Sequence, residues 1–98
     1  MWRKNRALNE GEQCMGVDIN RQFPIGHRTR GGGTNSCSFS YAGLAPLNQP
    51  ESIIWDTWAH EIGQIDAQIS VHSYSQLLMP PYATTDKCGD EDKLSEFF

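Results

Sequence analysis

Two short segments of this 98-residue sequence place chemically capable side chains at the end of an alternating apolar run. In "IDAQISVH" (65–72) the run ends at His72, whose imidazole could be a metal ligand, a general base or an ordinary strand-end residue. In "CMGVDINR" (14–21) the run ends at Asn20 and Arg21. Because ligands of α/β sheets gather beyond the carboxyl ends of the strands, we interpret these three side chains together as a candidate site.

The elements that would position these side chains alternate between strand and helix. Both runs have a period of two, which predicts short strands over residues 14–21 and 65–72. Between them, "NQPESIIWDTWAHEIG" (48–63) predicts a helix with Asn48 as N-cap, a capping box to Glu51 and an end at Gly63. Its apolar stripe consists of Ile54, Trp55, Trp58 and Ile62. Strand, helix and strand in this order predict an α/β fold with at least partly parallel pairing.

A long segment rich in Gly, Ser and Pro, residues 23–47, connects the first predicted strand to the helix. Loops of this length in a small domain are usually functional or cross-linked. Cys14 and Cys37 could close a loop of about 24 residues, worth about 3–4 kcal/mol in an oxidising compartment. Free thiols in a reducing compartment fit the sequence equally well. Cys88, the third cysteine, has no obvious partner.

Composition limits the classes of protein that this chain can be. It is 38% hydrophobic and 20% charged with a formal net charge of −4, which is typical of one small soluble globular domain. No apolar run approaches the ~20 residues of a transmembrane helix, and the basic N-terminus lacks the apolar core of a signal peptide. "RTRGGG" (28–33) occurs once in an acidic chain without interleaved aromatic residues, so nucleic-acid binding is a remote alternative.

Several motifs occur together in the order and spacing of the zinc metallocarboxypeptidases, peptidase family M14. The chain resembles the pancreatic carboxypeptidase A and B branch over its whole length. The motifs are "MWRKNR" (1–6), "CMGVDINR" (14–21), "CSFSYAG" (37–43), "PES" (50–52) and "VHSYSQLLMPPY" (71–82). The resemblance implies part of a mixed, mainly parallel sheet flanked by helices. Residues 1–98 would then be the central segment of a catalytic domain, truncated at both ends.

The resemblance also implies a role for each residue of the candidate site. His72 would be one of three ligands of a catalytic Zn²⁺. Asn20 and Arg21 would clamp the terminal carboxylate of a peptide, since a guanidinium fork matches a carboxylate bidentately. Arg3 would polarise the scissile carbonyl and stabilise its oxyanion.

Four further residues have implied structural or binding roles. Ser73 and Tyr74 would line a substrate subsite and be joined by a cis peptide bond. Cys14 and Cys37 would form the family's disulfide, which favours an oxidising compartment and a secreted protein. The implied substrates are the C-termini of peptides or proteins, and the full-length form would be a monomer that binds neither nucleic acid nor a membrane.

The sequence departs from the family in ways that bear on activity. An HxxE motif with two further zinc ligands is absent, since Arg30, Gly63 and Ser75 stand three residues after the three histidines. The catalytic glutamate of the family would lie beyond Phe98, and Gln22 replaces the asparagine usual in the "NRN" motif. We therefore expect the isolated chain to be inactive. The alternative function is a non-catalytic module that binds peptide carboxylates through Asn20 and Arg21.

Overall fold

The computed structural model describes residues 1–29 and 31–79. The chain groups into two compact units, Met1–Ile65 and Asp66–Phe98. One α-helix, α1 (Pro50–Ile62), and one 3₁₀ turn (Ile19–Arg21) are the helices of the described residues, and both lie in the first unit. Neither is long and apolar enough to cross a membrane.

Helix α1 begins one residue later than the predicted capping box requires. Its N-cap is Gln49, with φ −113° and ψ 139°, and no side chain caps it. The physical reason is Pro50, whose ring holds the preceding residue in an extended conformation outside the helix. Instead of completing a box with Asn48, the Glu51 carboxylate lies 3.4 Å from Nδ2 of Asn5. The predicted end is confirmed, because Gly63 follows the helix with φ 78°.

The apolar stripe of α1 does not pack on a core within the described residues. Ile54 and Trp58 are 68% and 54% exposed, and the buried residue of the helix is Ser52. Trp55 makes one aromatic contact, edge to face with Phe23 at 5.3 Å between ring centroids. The buried edge of α1 is polar because the buried amide side chain of Gln22 lies 3.3 Å from Ser52 Oγ.

The strand predicted over residues 14–21 is wrong for this structure. Asn5 interrupts a regular ladder, since its Oδ1 accepts from the Val17 N–H at 2.8 Å while its own N–H donates to the Val17 carbonyl at 3.0 Å. Asp18 then accepts from the backbone N–H of Asn20 and caps the 3₁₀ turn. A side chain has therefore taken a backbone donor that a β-ladder would use.

The long loop folds back on this extended segment and is cross-linked to it. Cys14 and Cys37 form a disulfide with Cα atoms 4.9 Å apart, as the family resemblance implied. The Asp18 N–H donates to the Tyr41 carbonyl at 2.8 Å, and an isolated parallel bridge joins Gly33 to Tyr41. The small apolar core consists of Val17, Tyr41 and Ala42.

In the second unit, residues 66–79 carry neither helix nor strand, and their side chains are exposed. The strand predicted over 65–72 is therefore not formed in the described residues, which offer it no backbone partner. The mixed sheet stays a prediction. The Ser73–Tyr74 peptide bond is cis, as the resemblance implied. The helix predicted from the "DEDKLSEFF" segment (90–98) lies outside the described residues.

Candidate functional site

A buried carboxylate organises the basic residues of the first unit. The Asp18 side chain is 5% exposed, and its Oδ2 accepts from Arg3 Nε at 2.8 Å and lies 4.0 Å from Arg21 Nε. Its Oδ1 accepts from the backbone N–H of Asn20 at 3.2 Å. Three of the predicted site residues, Arg3, Asn20 and Arg21, thus converge on Asp18. We call these four residues the Asp18 cluster.

Each guanidinium group of the Asp18 cluster makes its shortest protein contact through Nε. Arg21 Nε donates to the Gly31 carbonyl at 2.9 Å, and its Nη1 lies 3.4 Å from the Asn20 carbonyl. Arg3 contacts Asp18 through Nε. The Arg3 and Arg21 side chains are 42% and 34% exposed. Both side chains are therefore partly accessible to an anion, and two cations against the single carboxylate of Asp18 leave a net positive charge that favours a negatively charged ligand.

The segment that carries Arg3 is held by its neighbour Lys4. Lys4 is 6% exposed, and its ammonium donates to the Ser36 carbonyl inside the disulfide-linked loop. The same Nζ lies 5.6 Å from the Trp2 ring centroid and 5.8 Å from that of Tyr41. Burial lowers the pKa of Lys4 below its ordinary value. This buried anchor fixes the backbone immediately after Arg3.

Tyr41 is buried next to Lys4 in the same part of the first unit. Its side chain is 1% exposed, and its hydroxyl has no hydrogen-bond partner within the described residues. Burial, and then the Glu12 carboxylate, raise the pKa of Tyr41, while Arg28 acts in the opposite direction. The ring therefore contributes packing, whereas the burial of its hydroxyl without a partner lowers the stability of the folded unit.

His72, Ser73 and Tyr74 belong to the second unit, where they are consecutive and exposed. Tyr74 is 94% exposed. Across residues 1–29 and 31–79, no group of three or more His, Cys, Asp or Glu side chains could hold a metal ion. A catalytic zinc site uses three protein ligands. The residues described here therefore do not amount to a zinc site by themselves.

Two residues of the first unit were not selected from the sequence. Asp18 appeared only as a member of the polar face of a predicted strand, although it lies two residues before Asn20 in the same motif. Gln22 appeared only as a departure from a family motif, yet it is fully buried next to Arg21. An acid two residues before the Asn-Arg pair and an amide directly after it were the signals that could have identified Asp18 and Gln22.

Comparison with known proteins places the whole chain in one group. The family model described as "Zinc carboxypeptidase" (Peptidase_M14) matches residues 1–97. Carboxypeptidase B2 of Homo sapiens is 42% identical over 98 residues, covering 97% of this chain and 23% of that protein. Carboxypeptidase A1 of Sus scrofa is 40% identical over 97 residues, covering 98% of this chain and 23% of that protein. The chain thus spans about a quarter of the length of these relatives.

A solved structure shares the backbone arrangement. Bovine thrombin-activatable fibrinolysis inhibitor, in complex with tick carboxypeptidase inhibitor, superposes with a TM-score of 0.85 at 38% sequence identity. The match covers 98% of this chain and 33% of that one. The fold of the chain is therefore that of the corresponding part of a carboxypeptidase-like protein.

Proposed function

The chain belongs to the zinc carboxypeptidase family, and on that premise we propose that it serves the zinc-dependent hydrolysis of C-terminal residues from peptides and proteins. Its own contribution is to bind the terminal carboxylate. The observation that supports this proposal best is the Asp18 cluster, in which two guanidinium groups are held by Nε contacts while their side chains stay partly exposed.

Each residue of the cluster has a distinct part in this proposal. Arg21 forms a bidentate pair with the carboxylate, and Asn20 adds an amide donor. Arg3 contacts the same oxygen of Asp18 and donates to the scissile carbonyl oxygen as negative charge develops on it. A buried acid that holds both cations fixes their spacing before substrate arrives, which lowers the cost of ordering them.

Zinc would supply a Lewis acid and an activated water in the complete reaction. His72 is the residue that we assign to the metal, and Ser73 and Tyr74 to a substrate subsite. The described residues do not complete a metal site by themselves. We propose that the 98-residue chain on its own binds carboxylates without hydrolysing peptides.

A non-catalytic module that binds peptide C-termini is the second candidate. It is favoured by the fact that Asp18, Arg3, Asn20 and Arg21 all lie within the first unit, Met1–Ile65. The disulfide between Cys14 and Cys37 supports a secreted protein in either case. Secretion and a monomeric full-length form remain proposals.

Titration of the chain with N-acetylglycine, followed by NMR, tests the proposal. N-acetylglycinamide is the matched ligand control, because it lacks the carboxylate. We expect millimolar binding of the acid alone, and at least about tenfold weaker binding in Arg21→Ala. Arg21→Lys should not restore it, since an ammonium lacks the planar fork. Arg28→Ala, which removes an exposed cation outside the cluster, is the control variant.

The result that would overturn the proposal is equal binding of acid and amide, or binding that survives Arg21→Ala. Incubation of the chain with one equivalent of Zn²⁺ and a peptide tests the expectation, shared by both candidates, that the isolated chain does not hydrolyse peptides. Release of the C-terminal residue would refute the proposal that the chain alone only binds. Carboxylate binding without release would support it.

A further inference from the structure

The side chain of Gln22 is the most fully hydrogen-bonded buried amide of the first unit. It is 0% exposed. Its Nε2 donates to the carbonyls of Ala42 and Ala45, the latter at 3.2 Å. Its Oε1 accepts from the Asn48 backbone N–H at 2.9 Å and lies 3.3 Å from Ser52 Oγ, whose single proton also has the Gln49 carbonyl as an acceptor at 2.8 Å. Both donors of the amide are therefore used, and its oxygen accepts from Asn48, which together fix the orientation of the side chain.

These contacts tie three segments to one position of the chain. The backbone of Gln22 ends the 3₁₀ turn that carries Arg21, through its N–H to the Ile19 carbonyl. Its carbonyl accepts from the Leu47 N–H at 2.8 Å. The side chain then reaches the end of the long loop and the first turn of α1. No space remains beside it, since a Cβ on Gly43 would lie 2.7 Å from Gln22 Nε2.

We infer that Gln22 is a positioning residue for carboxylate binding, acting through Arg21. The Arg21 guanidinium contacts the Gly31 carbonyl, the Asn20 carbonyl and Asp18, and it reaches these partners only when its own backbone is held in place. That backbone is fixed on its C-terminal side by Gln22. A ligand-binding side chain loses affinity when the residues that hold its backbone become less well ordered, even though no direct contact to the ligand is removed.

This inference rests on the proposed carboxylate binding and deepens it. It assigns the placement of Arg21 to a buried hydrogen-bond network anchored on α1. A purely structural role would instead lower the stability of the unit and leave the affinity of the folded molecules unchanged. The two possibilities differ in the affinity measured well below the unfolding transition.

Gln22→Leu in the 98-residue chain, compared with Gln49→Leu, provides the test. Gln49 is also a buried glutamine, 8% exposed, and it is bonded to Asn5 and Asn48 rather than beside Arg21. We expect Gln22→Leu to weaken N-acetylglycine binding by about tenfold and Gln49→Leu by less than about twofold. The Arg21 Nε–H resonance should shift in Gln22→Leu alone, as its bond to the Gly31 carbonyl changes.

Gln22→Asn is the second variant, for use if the leucine variant does not fold. It keeps the amide and moves it about 1.5 Å toward the backbone. We expect about three- to fivefold weaker binding, because the shorter side chain cannot reach both the loop and α1. Wild-type affinity in a folded Gln22 variant, or equal losses in Gln22→Leu and Gln49→Leu, would overturn the inference. Failure of the wild-type chain to bind, by contrast, would refute the proposed function itself.

Discussion

Arg3 and Asp18 are 15 residues apart in the sequence, and in the folded first unit Arg3 Nε donates to Asp18 Oδ2 at 2.8 Å. The acid is buried and the base is partly exposed. This asymmetry means that the carboxylate is part of the scaffold, whereas the guanidinium faces outward. The pair therefore fixes the position of an outward-facing cation, as the proposed carboxylate binding requires, and adds little to the stability of the fold.

Replacement of the buried acid tests this relationship directly. Asp18→Asn removes the negative charge shared by Arg3 and Arg21 and keeps an oxygen for the Asn20 N–H. We expect N-acetylglycine to bind about fivefold more weakly, a loss of ~1 kcal/mol, because the guanidinium groups are less well oriented. Asp56→Asn, on the outer surface of α1, is the control. Unchanged affinity in Asp18→Asn would show that the cluster is not organised by its acid.

Two glycines with similar φ angles distinguish the energetic cost of a strained backbone from that of a steric clash. Gly16 and Gly11 have φ of 84° and 76°, but a Cβ on Gly16 would lie 2.5 Å from the Asn5 carbonyl oxygen, and one on Gly11 would meet nothing within 4 Å. We expect Gly16→Ala to lower the free energy of unfolding by about 3 kcal/mol or more. Gly11→Ala should cost about 1 kcal/mol. Urea denaturation measures both. Equal costs would mean that residues 5 and 16 do not approach so closely in solution.

The disulfide holds the loop that supports Arg21. Cys14 and Cys37 are separated by 23 residues, and the loop-closure model predicts a loss of about 3–4 kcal/mol in the double variant Cys14→Ser/Cys37→Ser. Because Gly31 lies within that loop, N-acetylglycine affinity should fall as well. Wild-type protein with reducing agent should match the double variant in both measurements. Equal stability with and without the bond would contradict the prediction.

The unpartnered hydroxyl of Tyr41 predicts a stabilising substitution. Tyr41→Phe removes a buried polar atom that has no hydrogen-bond partner among the described residues, so we expect the free energy of unfolding to rise by about 1 kcal/mol at pH 8. If urea denaturation shows a loss of similar size instead, the hydroxyl has a partner in solution.

The same variant should change the dependence of stability on pH. Burial raises the pKa of Tyr41 above its ordinary value of 10.0, so the folded state retains a proton that the unfolded state releases. The contribution of the neutral phenol is complete below pH 10 and is lost as pH rises through the folded pKa. The free energy of unfolding of Tyr41→Phe should therefore exceed that of the wild type by a growing amount as the pH rises above 10. Parallel stability curves for the two proteins would refute a raised pKa. The lowered pKa of Lys4 acts in the opposite direction and is common to both proteins.

The sequence by itself determined the family and the end of α1 at Gly63, and it supplied the residues to which we propose functions. These follow from local chemistry, because motif spacing and a glycine with positive φ need no knowledge of distant contacts. The start of α1 was also readable, since Pro50 excludes residue 49 from the helix. The capping-box prediction failed because it relied on the N-cap preference of Asn48, which the constraint from Pro50 overrides.

Only the tertiary structure decided what surrounds the site. Asn5 pairs with Val17 across 12 positions and replaces a predicted strand, and the Asp18 carboxylate collects two cations that are 18 residues apart in the chain. Gln22 joins the turn to α1 across 30 residues. Period and composition describe neighbours within a few residues, whereas these contacts form through loop closure, which depends on the whole arrangement of the chain. Pattern alone therefore identified the side chains that could bind a ligand, and folding determined which buried groups orient them.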